Sequence, residues 1–167
     1  MLIACAVVSV GLAVAHFATK DYRRRLAICD DIGARYVWGS VNSIMVTFHG
    51  PVASREIEKY QRIFRIDFEG TLIEADWLEN LTGLEYIGKL IFIRCSIDGP
   101  GQLAPLSAMS DVRTVMFWNT CVTDAAIDVI AQTPGMEVAV FWNTSVTQAG
   151  ADRLRALRPG VTVRLLP

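Results

Sequence analysis

Catalysis needs titratable or nucleophilic side chains gathered at one place, and this sequence offers few of them. Its two histidines are His16, inside an apolar run, and His49, on the turn that should follow the first strands, and neither has a neighbour for acid–base work. The four cysteines, Cys5, Cys29, Cys95 and Cys121, show no Cys-x-x-Cys spacing, and no paired histidine or acidic loop offers a metal site. Gly99-Pro100-Gly101 is too short and too proline-bound to cradle a phosphate. Asp30-Asp31 reads as the solvated end of a helix and not as a carboxylate pair. The expectation is therefore a non-enzyme with no catalytic residue, no metal and no cofactor.

The chemistry that remains is that of large apolar side chains at regular spacing. Phe117-Trp118-Asn119-Thr120-Cys121-Val122-Thr123 returns as Phe141-Trp142-Asn143-Thr144-Ser145-Val146-Thr147. The register extends backwards: Ile66, Phe68, Thr71 and Ile73 match Leu90, Phe92, Cys95 and Ile97, then Val115, Phe117, Thr120 and Val122, then Ala139, Phe141, Thr144 and Val146. Ile63, Ile87, Val112 and Met136 each stand three residues ahead of these sets. The period is about 24 or 25 residues, a length at which units stack and equivalent residues become spatial neighbours.

An apolar-x-apolar segment forms a strand with alternate side chains buried. The four phenylalanines should then make one interior column. The threonines and Cys95 should make a second column where the chain leaves the strand, hydroxyls satisfying backbone groups and the thiol acting as a small apolar filler. Residues between the buried ones face away from the core: Asp67 and Glu69, Ile91 and Ile93, Met116 and Trp118, Val140 and Trp142. Large apolar groups at such positions mark a contact surface, with Asp67, Glu69, Lys89, Arg94 and Arg113 as a charged rim.

The unit apolar-x-x-apolar-x-apolar-x-x-[Thr/Cys]-x-[Ile/Val] resembles the leucine-rich repeat, with threonine or cysteine where many members carry asparagine. The likeness covers about residues 26–167 and is closest to the cysteine-containing type and to short bacterial members. It departs from the pattern in its poverty of strand leucines and in one extra residue in the unit holding Gly99-Pro100-Gly101, which should bulge. The resemblance implies an α/β fold, a right-handed leucine-rich-repeat solenoid of about four repeats plus caps, and an interaction role. In that fold the outward strand positions line the concave face.

The return segments read as helices. Thr123 should cap 124–132, with Ile127 and Ile130 inward, and Thr147 should cap 148–157, with Ala151, Leu154 and Leu157 inward. Residues 74–81 bring Leu78 and Leu81 to the same place, and 161–166 form a closing strand. Earlier in the chain, 26–32 reads as a helix, 34–38 and 41–48 as strands around Gly39-Ser40, and 56–64 as a helix. Cys121 follows the column of Cys95, but their side chains should point to opposite sides of the turn, which disfavours a bridge.

Composition narrows the partner. Over 167 residues the net charge is −1, so nothing drives the protein onto nucleic acid. Mean hydropathy is +0.35, and much of that excess lies in residues 1–19, ahead of the basic cluster Lys20, Arg23, Arg24 and Arg25. A helix of that length spans about 27 Å, enough to cross a hydrocarbon core. A cleaved signal peptide with Ala13-Val14-Ala15 at its cleavage site competes, but it lacks a basic leading region. A lipoprotein signal at Leu2-Ile3-Ala4-Cys5 is set aside because the apolar run follows the cysteine. An uncleaved anchor fits best, with the basic cluster holding the next domain on the cytoplasmic side, where free thiols are the norm.

The sequence thus predicts a transmembrane anchor over 1–19, a basic juxtamembrane segment over 20–25, a cap with its leading strands over 26–62 and repeats over 63–167. The expected function is a single-pass, membrane-anchored module that binds a protein or peptide on its concave face. The membrane is a second partner through residues 1–19, and a homo-oligomer is allowed. The alternative is a self-associating envelope protein with no external ligand.

Overall fold

Alternation of inward and outward side chains over five to seven residues makes each unit open with a strand. In the computed structural model, which describes residues 36–40, 43–48, 63–82 and 87–167, these strands form one sheet in chain order. They are β1 (Tyr36–Ser40), β2 (Ser43–Phe48), β3 (Ile63–Glu69), β4 (Lys89–Ile93), β5 (Thr114–Trp118), β6 (Val138–Trp142) and β7 (Thr162–Leu166). β1 and β2 are antiparallel, with Ser40 opposite Ser43, and every later pair is parallel.

The register places equivalent residues side by side. Phe68, Phe92, Phe117 and Phe141 share one position on successive strands, with ring centroids 5.5, 5.0 and 5.6 Å apart and rings nearly parallel. All four are fully buried, as are Ile66, Leu90, Val115 and Ala139 in the adjoining column. Short return segments cover that face of the sheet. They are helix α1 (Ala75–Glu79), a 3-10 helix (Pro100–Ala108), a 3-10 turn (Asp124–Ala126) running into α2 (Ile127–Ile130), and α3 (Gln148–Leu157). From them Leu78, Leu103, Leu106, Ile127, Ile130, Ala151 and Leu154 close the core.

This architecture corrects the expected fold class. Instead of a leucine-rich-repeat solenoid behind a transmembrane helix, the described residues form a sheet, parallel from β2 onward, backed by few and short helices. The α-helices have five, four and ten residues. Helix 124–132 shrinks because its first turn tightens to 3-10 and its last intrahelical bond closes at Ala131. Between β4 and β5 the expected bulge is a nine-residue 3-10 helix, begun by Pro100 and carrying Pro105 inside. Proline has no N–H to give to an α-helical ladder.

Membrane placement is corrected as well. Among the described residues no helix is long and apolar enough to cross a membrane; the longest α-helix, ten residues, spans only about 15 Å. The single-pass localisation with a cytoplasmic domain is not retained. Residues 1–19, to which that expectation attached, lie outside the described residues, as do His16, His49, Asp30-Asp31, Cys5, Cys29 and the helix expected at 26–32. Of the helix expected at 56–64, residues 63 and 64 begin β3 and the rest lie outside the described set. β1 runs through Gly39 and Ser40, where a turn was expected.

Arg158, at the C-terminus of α3, donates from Nη1 to the carbonyls of Ala131 (2.9 Å) and Thr133 (2.6 Å), and from Nη2 to those of Pro134 (2.9 Å) and Met136 (3.5 Å). One planar guanidinium thus gathers four carbonyls of the turn between α2 and β6. The Thr147 hydroxyl accepts from the Gly150 N–H at 3.3 Å and caps α3, as its sequence position predicts.

Candidate partner-binding face

The helices occupy one face of the sheet, so the side chains between the buried ones stand on the other. From β3 to β7 they fall into columns set by the pairing: Asp67, Ile91, Met116, Val140 and Arg164 in one, and Glu69, Ile93, Trp118, Trp142 and Leu166 in the next. The second column lies where the strands end. Gly70, Arg94, Asn119 and Asn143 follow it with φ of 64°, 52°, 51° and 47°. Their N–H groups donate to the carbonyls of Ile93, Trp118, Trp142 and Leu166 on the next strand.

A left-handed residue therefore turns the chain away directly after Glu69, Ile93, Trp118 and Trp142, which leaves the column at the lip of the sheet. Glycine and asparagine enter that conformation at low cost. Arg94 does not, and it is held by an ion pair to Glu69 on the neighbouring strand. The Asn143 amide donates to the Asn119 Oδ1 at 2.7 Å, which ties two of these turns together.

The expected site residues separate into two groups. Ile91 and Val140 face away from the core yet are only 6% and 7% exposed; the longer Met116 lies in register beside both. Asp67 is also buried, and Arg65 grips it through two hydrogen bonds of 2.6 and 2.7 Å. It is a neutralised pair rather than a free acidic rim. Ile93, Met116 and Trp118 are half-buried, and Trp142 is 38% exposed.

Leu166, 40% exposed and paired in register with Trp142, completes the accessible column. The sequence reading missed it because the repeat signature stops at the second Phe-Trp. Extending the register by 24 residues from Trp142 would have found it.

Trp118 and Trp142 stack with centroids 4.9 Å apart and planes 13° from parallel. Ile93 and Leu166 stand next in register on either side of the pair. Neither indole N–H hydrogen-bonds to any described residue. Compared with known proteins, the chain matches no family model and no curated protein. The reading of the face therefore rests on its geometry.

The rest of the expected rim is tied down. Lys89 Nζ lies over the Phe64 ring at 5.4 Å, and Arg113 donates to the Gly135 carbonyl at 3.2 Å and faces Glu137 at 3.5 Å. Among the described residues no group of three metal-ligating side chains converges.

The cysteines do local structural work. Burial pushes the Cys95 thiol above its ordinary pKa, and its Sγ lies 3.3 Å from the Phe68 carbonyl and 3.4 Å from that of Ile93. In the same column the Thr144 hydroxyl accepts from the Val146 N–H at 3.4 Å, as expected, whereas that of Thr120 finds no partner among the described residues. Cys121 and Cys95 are both free thiols. The Cys121 sulfur accepts from the Ile97 N–H at 3.3 Å and lies 3.5 Å from the Ile97 carbonyl, a link between adjacent units.

Proposed function

We propose that this chain is a protein-binding module, not an enzyme, whose working surface is the column Ile93–Trp118–Trp142–Leu166 with Met116 behind it. The ligand is an apolar segment of a protein or peptide, seated on the indoles and flanked by the asparagines and the Glu69–Arg94 pair. The observation that carries this reading is the exposure of a stacked tryptophan pair on the face the helices do not cover. Burying such a pair against the core would have satisfied folding; keeping it at the surface suits binding. Tryptophan is the residue type that most often dominates an interface, and truncating one at a hot spot costs about 2 kcal/mol or more.

The experiment is affinity capture with the wild-type chain, with Trp118→Ala/Trp142→Ala, and with Glu74→Ala as a control on the opposite side of the molecule. A protein held by the wild type and the control, and lost by at least about tenfold from the tryptophan variant, is the expected result. Equal recovery by a folded tryptophan variant excludes the reading.

A further inference from the structure

A sheet that ends in an unpaired strand turns alternate backbone groups outward with no ladder partner. Among the described residues β7 pairs with β6 alone, and that pairing decides which of its groups turn outward. The Thr162 N–H donates to the Glu137 carbonyl, and the Leu166 carbonyl accepts from the Asn143 N–H. Thr162, Arg164 and Leu166 therefore turn toward β6, and Val163 and Leu165 turn away from it. An open edge of this kind is a template for another strand, above all for the same edge of a second copy.

One of those outward groups is already engaged. Arg155, in the last turn of α3, donates from Nη2 to the Val163 carbonyl at 2.9 Å and from Nη1 to the Asp152 Oδ1 at 2.6 Å. Asp152 stands three residues earlier on the same helix and holds the guanidinium in place. One unit upstream, the residue in this position is Ala131, and the counterpart of the Val163 carbonyl belongs to Ala139 on β6. There β7 supplies the partner. Alanine stands where the ladder continues, and arginine beside β7, the last strand of the sheet among the described residues.

We infer that Arg155 is an edge guard, a positioning residue that closes the end of the sheet against β7-to-β7 pairing with a second copy of this chain. An incoming strand must displace a charge-assisted hydrogen bond and leave the guanidinium desolvated at the junction, which disfavours association. The inference is independent of what binds the tryptophan column.

Sedimentation velocity of the full chain over a wide concentration range tests it, with wild type compared to Arg155→Met, which keeps the aliphatic stem and removes the donors. The apparent dimer dissociation constant is expected to fall by at least about tenfold in the variant. Hydrogen exchange at Val163 and Leu165 is expected to slow as its concentration rises. Arg155→Ala carries the same measurement if the methionine variant loses its native circular dichroism. A folded variant that sediments like the wild type overturns the inference, and so does added association without added protection in residues 162–166.

Discussion

Trp118 and Trp142 occupy one register position on adjacent parallel strands and stack 4.9 Å apart, one residue along from Phe117 and Phe141, which stack at 5.6 Å on the opposite face. The same 24-residue offset thus builds an aromatic pair inside and another outside. Their energetic roles should differ. Phe117→Ala empties a fully buried site between two rings and is expected to cost about 3–5 kcal/mol in denaturant unfolding. Trp142→Ala, at a site already 38% exposed, should cost less than about 1.5 kcal/mol and abolish the far-ultraviolet exciton signal of the pair. A cost for Trp142→Ala equal to that for Phe117→Ala would place the tryptophans in the core.

Arg158 supports the carbonyls that close the turn before β6. Hydrogen bonds to a charged donor contribute about 1.5–3 kcal/mol, so Arg158→Ala is expected to lower unfolding free energy by roughly that amount. Arg158→Lys should recover little of it, because a single ammonium cannot match the planar fork. Full rescue by lysine would show that charge alone matters at this position.

Gly135 lies in the same turn. A Cβ built there would stand 2.1 Å from the Ser110 carbonyl oxygen, a backbone atom that cannot move aside, whereas one at Gly99 meets nothing within 4 Å. Gly135→Ala should therefore destabilise by about 1–3 kcal/mol or more, and Gly99→Ala should stay within about 0.5 kcal/mol of wild type. Thermal unfolding of the two variants side by side makes the comparison.

Asp124 accepts the Thr147 hydroxyl at 2.6 Å and the Thr147 N–H at 2.8 Å, and these bonds hold its carboxyl below the ordinary value of 3.8. A carboxyl whose pKa is depressed in the folded state contributes stability that is fully present above its unfolded value and is lost as pH falls through the folded value. Unfolding free energy measured on acidification should accordingly drop less steeply in Asp124→Asn than in wild type, with the two profiles parallel at neutral pH. Thr147→Val should flatten the profile in the same way. Coincident acid limbs would remove Asp124 from the account.

Much of the stacking was legible because it follows from periodicity. The phenylalanine column, the inward faces of Ile127, Ile130, Ala151 and Leu154, and the cap at Thr147 all depend on offsets that a sequence displays directly. What was not legible depends on neighbours. Ile91 and Val140 face the open side yet are buried, with the longer Met116 in register beside both. Leu157, expected inward, is 48% exposed, since it sits at the end of α3 with no further unit to pack against among the described residues. Asp67 is taken up by Arg65, two residues away on its own strand. A residue's type sets what it can contact, but the side chains beside it decide whether it is reached.

The most direct test of the tryptophan column as the working surface is fluorine magnetic resonance of the chain labelled with fluorotryptophan, titrated with the partner recovered by capture. Trp118 and Trp142 lie on the proposed contact, and Trp77, 8% exposed, lies among the core residues on α1. The account predicts that the Trp118 and Trp142 resonances shift to saturation while that of Trp77 stays in place. Saturable binding that leaves both column resonances unmoved would contradict it.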